Sequence, residues 1–366
     1  MTESAAPQVP PFCPNPSCRF HRDRNTVWRF TRAGFFSRQQ PPHQVQRYRC
    51  CHCRRHFSDQ TFRTSYWLKR PDLLPVLIGR LLGCSAYRQI ARELQVSPQT
   101  VALQAERLGR HALLFHLRHR PPSPVREPLC LDSFISFEWS QFYPTAYHVA
   151  VGQDSHFFHG FLDSELRRSG RMTQGQRRRR AALEAQLGRP DPRATERDCA
   201  ALLAEVAPTA QALELWTDEH TDYPLAVRRL PHLSVTHRTI SSRAARTARN
   251  PLFPVNLLDL LVRHSEANHK RETIAFSKRR QSAIERLWLL LVWRNYMKSF
   301  SERKRDASPA MRLGVLDHRV SVPELLARRL FPSRFTIPLL WRRHYWREVP
   351  TRAIPRCRRH QLAFAA

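Results

Sequence analysis

The chain has 366 residues, 42% of them hydrophobic, which argues against a wholly disordered polypeptide and leaves room for two or three domains. Lys and Arg number 61 against 30 Asp and Glu, a formal charge of +31 that concentrates polyanions, duplex DNA and RNA foremost. The longest apolar run, Leu287–Trp293, falls far short of the ~20 residues of a membrane span, and the first residues lack the charged-then-apolar order of a secretory signal.

Five of the nine cysteines fall before residue 54. Cys13-x4-Cys18 and Cys50-x2-Cys53 have the spacing of two zinc knuckles, and zinc favours four tetrahedral soft ligands. Cys51, His21 and His52 are alternative ligands at the same place. Strand-like pieces at 26–31 and 44–49 lie between the pairs, so residues 10–62 are expected to form a zinc ribbon whose metal replaces a core too small to stand alone. The other cysteines are scattered singly, a pattern of a reducing cytoplasm with one metal site.

Residues 71–82 read as an apolar helix, followed by two amphipathic helices at 87–94 and 97–108 around Gln95-Val96. Ser97 caps the second, with Pro98 at its first position. Residues 63–117 are therefore expected to be an all-α helix-turn-helix unit with Gln99, Thr100, Gln104 and Arg107 facing a DNA groove. The Pro-rich basic stretch 118–127 reads as a linker.

Three strands follow, at 128–137 with Asp132 embedded, 147–151 and 156–161. An Arg-rich helical insertion, about 165–208, carries Arg177, Arg178, Arg179 and Arg180 on a first helix (175–187), with a second helix at 194–206. These four arginines are expected to touch the DNA phosphate backbone without reading sequence. A strand at 212–217 ends at Asp218, and another strand covers 234–240. Helices are expected at 256–272 and 280–300, the latter burying Ile284, Leu287, Trp288 and Leu291. That order is α/β, and it puts two acids into one sheet. Neighbouring buried carboxylates need a cation between them, and paired magnesium ions ~3.5–4 Å apart serve phosphoryl transfer in this way. The alternative is that Asp132 and Asp218 are ordinary strand-end or capping residues. The segment 301–366 is a basic tail, with 15 Lys and Arg against 5 Asp and Glu. Its aromatic–basic run Trp341–Trp346 either stacks on unpaired bases or docks with its tryptophans buried.

Several phrases resemble the DDE-type transposases of bacterial insertion sequences, in particular the family of the first-numbered insertion sequence. They are the ribbon's closing phrase Tyr48–Phe57, the strand Leu131–Phe137, the stretch Thr217–Val227 with His237-Arg238-Thr239, and Arg263, Thr273 and Phe276-Ser277-Lys278. The resemblance covers roughly residues 12–300 and implies a ribonuclease-H-like catalytic domain over 128–300. It further implies structural Zn²⁺, catalytic Mg²⁺, double-stranded DNA (element ends and target) as partner, a homo-oligomer on that DNA, no membrane, and a place at the bacterial nucleoid. Asp132 and Asp218 match the family's first two catalytic acids. The third departs: the position of the family's glutamate is Asn256, with Asp259 one helical turn on and Glu266 and Glu272 farther along. The alternative to an active transposase is a catalytically inactive, transposase-derived DNA-binding protein or regulator.

Overall fold

A computed structural model describes residues 9–23, 26–39, 41–121, 125–208, 212–270, 273–352, 354 and 360. Glu272 and Arg271 lie outside them. The N-terminal part is a three-stranded antiparallel sheet of β1 (Phe30–Ser37), β2 (Gln44–Cys50) and β3 (His56–Ser58). It has its own small core, with Phe20, Tyr48 and Phe57 packed beside Cys13, Cys18 and Cys50.

Three helices follow: α1 (Leu73–Leu82), α2 (Tyr87–Glu93) and α3 (Pro98–His119). Ser97 caps α3 by accepting the Thr100 N–H, as its position before Pro98 predicts. The helix does not stop at Leu108, however. It runs 22 residues, and its second half is a buried spine of the molecule. The linker expected from residue 118 is correspondingly shorter.

The second sheet has five strands: β4 (Leu129–Phe137), β5 (Pro144–Gly152), β6 (Phe158–Glu165), β7 (Ala212–Thr217) and β8 (Ser234–Thr239). Their spatial order is β6-β5-β4-β7-β8. The first three form an antiparallel meander, whereas β7 runs parallel to both β4 and β8. Parallel neighbours need crossovers, and helices supply them: α4 (Gln174–Leu187) and α5 (Ala194–Val206) lead to β7, and α6 (Asp222–Arg228) leads to β8. The expected insertion thus divides. α4 buries no side chain, while α5 sinks Cys199, Leu202 and Leu203 against the sheet and belongs to the core.

Two helices complete this layer, α7 (Phe253–Ser265) and α8 (Arg280–Val292), followed by one π-helical turn at Trp293–Met297 in place of a helix continuing to Phe300. Asn295, within that turn, both donates to and accepts from the Phe158 backbone at 2.8 Å, fastening the start of β6. α8 is buried on nearly every side and crosses α3 where Gly109 allows contact with the Glu285 backbone.

The C-terminal segment carries α9 (Pro309–Arg312), α10 (Val322–Leu326) and α11 (Leu339–Trp346). It docks against the core. Trp341 is fully buried beside Trp288 and donates its indole N–H to the Phe161 carbonyl, and Asp163 holds Arg280, Arg343 and His344. Of the two roles open to this aromatic run, Trp341 is therefore committed to packing and cannot stack on a base. Among the described residues no helix is long and apolar enough to cross a membrane.

Candidate functional site

The four thiols of Cys13, Cys18, Cys50 and Cys53 converge until all their sulfurs lie within 4.8 Å of one another. Backbone hydrogen bonds build the two knuckles: Cys18 N–H donates to Asn15, and Arg54 N–H donates to Cys50. Burial opposes ionisation at Cys50, but the Trp28 indole N–H at 3.3 Å and the backbone N–H groups of Cys53 and His52 outweigh it and bring the thiol down to about 7. Such N–H···S bonds favour thiolate, the form that binds metal. Of the alternative ligands, His21 is engaged elsewhere, by the Cys13 carbonyl and by Ser333. His52 stands 3.7 Å from Cys18 Sγ as a neighbour, and Cys51 is outside the cluster. Four thiols at that spacing, three buried and that of Cys53 half-buried, fit zinc.

The second constellation lies on the five-stranded sheet. Leu129 and Cys130 of β4 are register partners of Leu215 and Trp216 of β7. The ladder ends at Cys130 and Trp216; Asp132 lies two residues farther along β4, and Asp218 directly follows the last residue of β7, so both acids stand at the end where these parallel strands part. Asp132 is largely shielded from water. Burial pushes its carboxyl up to about 6, and the nearby charges of Asp218 and Asp259 push in the same direction. Asp259, on α7, is half-buried and pairs with Arg263 at 3.4 Å. Asn256 is half-buried one turn earlier on the same helix. The three carboxylates are not drawn together as the thiols are: among the described residues, the cysteine cluster alone gathers three or more ligand atoms at metal-holding distance.

Glu266 is displaced from this region. It is 1% exposed, burial raises it to about 8, and the charge it meets is Arg286 of α8. As a candidate third acid it is corrected by that burial, for it faces the junction of α7 with α1 and α8.

Sequence reasoning missed what stands behind Asp132. Tyr223 of α6 donates to Asp132 Oδ1 at 3.3 Å and lies 3.2 Å from Ser133 Oγ. Ser133 Oγ is 2.7 Å from His148 Nδ1, His148 Nε2 is 2.7 Å from Ser164 Oγ, and Ser164 donates to Asp198 at 2.7 Å. His148 is fully buried, and burial lowers it to about 4, so the ring is neutral near pH 7. The bond directions follow. Since the Ser164 proton goes to Asp198, His148 Nε2–H donates to Ser164, and Nδ1 accepts from Ser133. The Tyr223 proton goes to Asp132 and the Ser133 proton to His148, so Tyr223 and Ser133 are neighbours without a shared proton; the hydrogen-bonded chain runs from Ser133 through His148 and Ser164 to the Asp198–Arg197 pair at the surface. No sequence spacing signals it, because it joins β4, β5, β6 and α5 across the sheet.

The expected DNA-facing residues separate into two groups. Gln99 is exposed and Thr100 half-exposed on the first turn of α3. Gln104 is 7% exposed, and Arg107 spends its guanidinium on the Thr64 and Tyr66 carbonyls, so neither can read a groove. Both are corrections: Gln104 is buried, and Arg107 is turned towards the stretch before α1, whose carbonyls it satisfies. Arg177, Arg178 and Arg179 are exposed on α4, whereas Arg180 turns back to the Arg168 carbonyl and Glu184.

No protein-family model matches the chain, and no curated protein matches it. Among solved structures it is similar to a chain of the simian T-cell lymphotropic virus intasome, determined by cryo-electron microscopy in complex with the PP2A regulatory subunit B56 gamma. That match has 13% identity, covers 68% of this chain and 76% of the other, and has a TM-score of 0.27. A superposition so loose carries no functional weight.

Proposed function

We propose that this chain is a DNA transposase of the DDE type, with its first two catalytic acids at Asp132 and Asp218 and its third at Asp259. The observation that supports the reading is that Asp132 and Asp218 lie at the same end of the parallel pair β4–β7, with the charges of both Asp218 and Asp259 felt at Asp132. The sheet order, an antiparallel meander continued by two parallel strands, is the one expected of a ribonuclease-H-like domain. Three like charges around a buried carboxyl are costly without a cation, and oxygen-only donors suit magnesium. When bound, the metal would supply a Lewis acid that activates water or a 3′-hydroxyl and stabilises the leaving oxygen. The protein's own part is to hold the carboxylates, with Tyr223 orienting Asp132.

In this reading the ribbon, holding zinc on Cys13, Cys18, Cys50 and Cys53, and the α1–α3 unit as a helix-turn-helix recognise the element ends. Gln99 and Thr100 lead at the groove, and Arg177, Arg178 and Arg179 touch the backbone. Homo-oligomer assembly on DNA and a nucleoid location belong to the same proposal. The test is strand transfer with end-containing DNA and Mg²⁺. Asp132→Asn, Asp218→Asn and Asp259→Asn should each abolish product while leaving DNA binding in place, and Asn256→Ala should retain activity. Full activity in Asp132→Asn would refute the assignment. Asn256, where the family pattern has an acid, favours one second reading, a DNA-binding protein without catalysis. Calorimetric titration that detects no Mn²⁺ binding would select it.

A further inference from the structure

A cleft of about 1040 Å³ lies away from the carboxylates, between the zinc ribbon, the end of α3 and the segment after α10. Six arginines line it, Arg63, Arg118, Arg120, Arg328, Arg329 and Arg334, against one acid, Asp59. Asp59 is already engaged by the Tyr48 hydroxyl. The arginines fall into two sets. Arg120 is paired with Glu205, and Arg329 and Arg334 lie over aromatic rings, Arg329 on Tyr66 and Phe331 and Arg334 on Phe12. The side chains of Arg63, Arg118 and Arg328 have no acidic or carbonyl partner among the described residues.

Arg329 carries the sharper argument. It is half-buried, no carboxylate accompanies it among the described residues, and burial together with the neighbouring Arg107 charge pulls it down to about 10. Its guanidinium donates to the Thr61 carbonyl at 3.5 Å and lies over two rings, but a charge in such a place without a carboxylate partner is unfavourable until an anion arrives. The cleft is many times the size of one phosphate, and its cationic groups come from three separate stretches of chain along its walls. A ligand with repeated, regularly spaced phosphates matches that distribution; a single small anion does not. Arginine's planar fork suits phosphate oxygens, and an aromatic floor beneath it fixes its orientation.

We infer that this cleft binds the sugar–phosphate backbone of DNA, leading the strand from the zinc ribbon past the end of α3. The choice of DNA among polyanions rests on the proposed function; the binding itself is independent of catalysis. The test is fluorescence anisotropy with a 20-base-pair duplex of arbitrary sequence, without added divalent metal, across a salt series. Each phosphate contact contributes about 0.9 to the slope of log K against log salt. The triple variant Arg63→Ala, Arg118→Ala, Arg328→Ala should therefore lower the slope by about 2.7 and the affinity on the order of 10²-fold at 0.1 M salt. A charge-matched control removing exposed Arg303, Lys304 and Arg319 should lower the slope by less than about 1. Equal losses in the two triples would show a diffuse field and overturn the site, as would an unchanged cleft variant. Inorganic tripolyphosphate at matched ionic strength should not displace the duplex from the wild type. Displacement would identify a small polyphosphate as the ligand and overturn the DNA assignment. Should the triple fail to retain zinc, Arg118→Gln with Arg328→Gln, both at exposed positions, reads the same effect at two-thirds of the slope change. Loss of strand transfer with intact cleft binding, or the reverse, separates failure of the catalytic reading from failure of this one.

Discussion

Gly109 and Gly79 both sit inside helices, and the structure assigns alanine opposite effects at the two positions. A Cβ on Gly109 would lie 2.5 Å from the Glu285 carbonyl oxygen and 2.7 Å from its Cα and Cβ. Carbon contacts settle near 3.5–4.0 Å, so α3 and α8 would have to separate by about 1 Å at their crossing. The obstructing atoms are mostly backbone of a helix buried on nearly every side, so no side-chain rotation relieves them. Arg347 spans the same crossing, pairing with Glu106 of α3 and, at 2.8 Å, with Glu285 of α8, and it would be stretched as they part. Overpacking of this kind costs about 1–3 kcal/mol, and the backbone obstacle places it at the upper end. Against it stands the alanine helix preference, about 0.8–1 kcal/mol. Steric overlap wins, and Gly109→Ala should lose about 2 kcal/mol. Nothing lies within 4 Å of a Cβ on Gly79, so Gly79→Ala should gain up to about 1 kcal/mol. Guanidinium unfolding of both variants, read as midpoint and slope, measures the pair. A Gly109→Ala protein as stable as wild type would refute the close α3–α8 contact.

Three other expectations follow from named contacts. Cys50→Ser removes one of four thiols and the acceptor of the Trp28 N–H; zinc release with a colorimetric chelator should become complete, and protection from hydrogen exchange should fall across both the ribbon and the segment around Phe331 that packs on Phe12. Tyr223→Phe deletes a long hydrogen bond of 3.3 Å, so the strand-transfer rate should fall by up to about tenfold with DNA affinity unchanged, and a loss as large as that of Asp132→Asn would contradict a merely orienting role. Glu266 is raised by burial from 4.5 to about 8, so the neutral acid stabilises the fold fully below about 4.5, and that contribution is lost as pH rises towards 8, at roughly 1.4 kcal/mol per unit. Glu266→Gln should flatten unfolding free energy between pH 5.5 and 7.5, and an unchanged slope would rule Glu266 out as its source.

What was legible in the sequence was what local spacing decides. The cysteine pairs, the Ser97-Pro98 helix start and the strand carrying Asp132 need only neighbours a few residues away. What was illegible depended on a partner surface far along the chain. Gly109 follows Leu108 and reads as a helix stop, but its missing side chain serves the approach of α8, some 175 residues later. Gln104 and Arg107 look like groove residues on a lone amphipathic helix; Gln104 is buried, and Arg107 is drawn inward by the Thr64 and Tyr66 carbonyls of the stretch before α1. Trp341 could not be told from a base-stacking residue until β6 offered Phe161's carbonyl and the space above Gly160. Adjacency of Asp132 and Asp218 was readable as a possibility; the register adds that their strands are parallel neighbours, paired at Leu129–Leu215 and Cys130–Trp216.

The same logic bears on the asparagine at position 256. A metal-binding helix offers donors at the pitch of its turns, and three residues advance only ~4.5 Å along the axis, about the reach by which a carboxylate side chain can lean back. Asp259 is on that face, and Asp132 feels its charge. Its one cationic neighbour, Arg263, is anchored by donating to the Ile135 and His269 carbonyls and by lying over Phe134, all on or against β4. Arg263 therefore ties the end of α7 to the strand that bears Asp132 and keeps Asp259 close to it. Among the described residues, Arg263 pairs with Asp259 and no ion pair reaches Asp132 or Asp218, which leaves a local excess of negative charge in a chain that is otherwise strongly positive. In the proposed reading, that local excess of negative charge is what a bound cation would neutralise. Asp259 therefore supplies, in the same reading and one turn after Asn256, the third carboxylate beside Asp132 and Asp218.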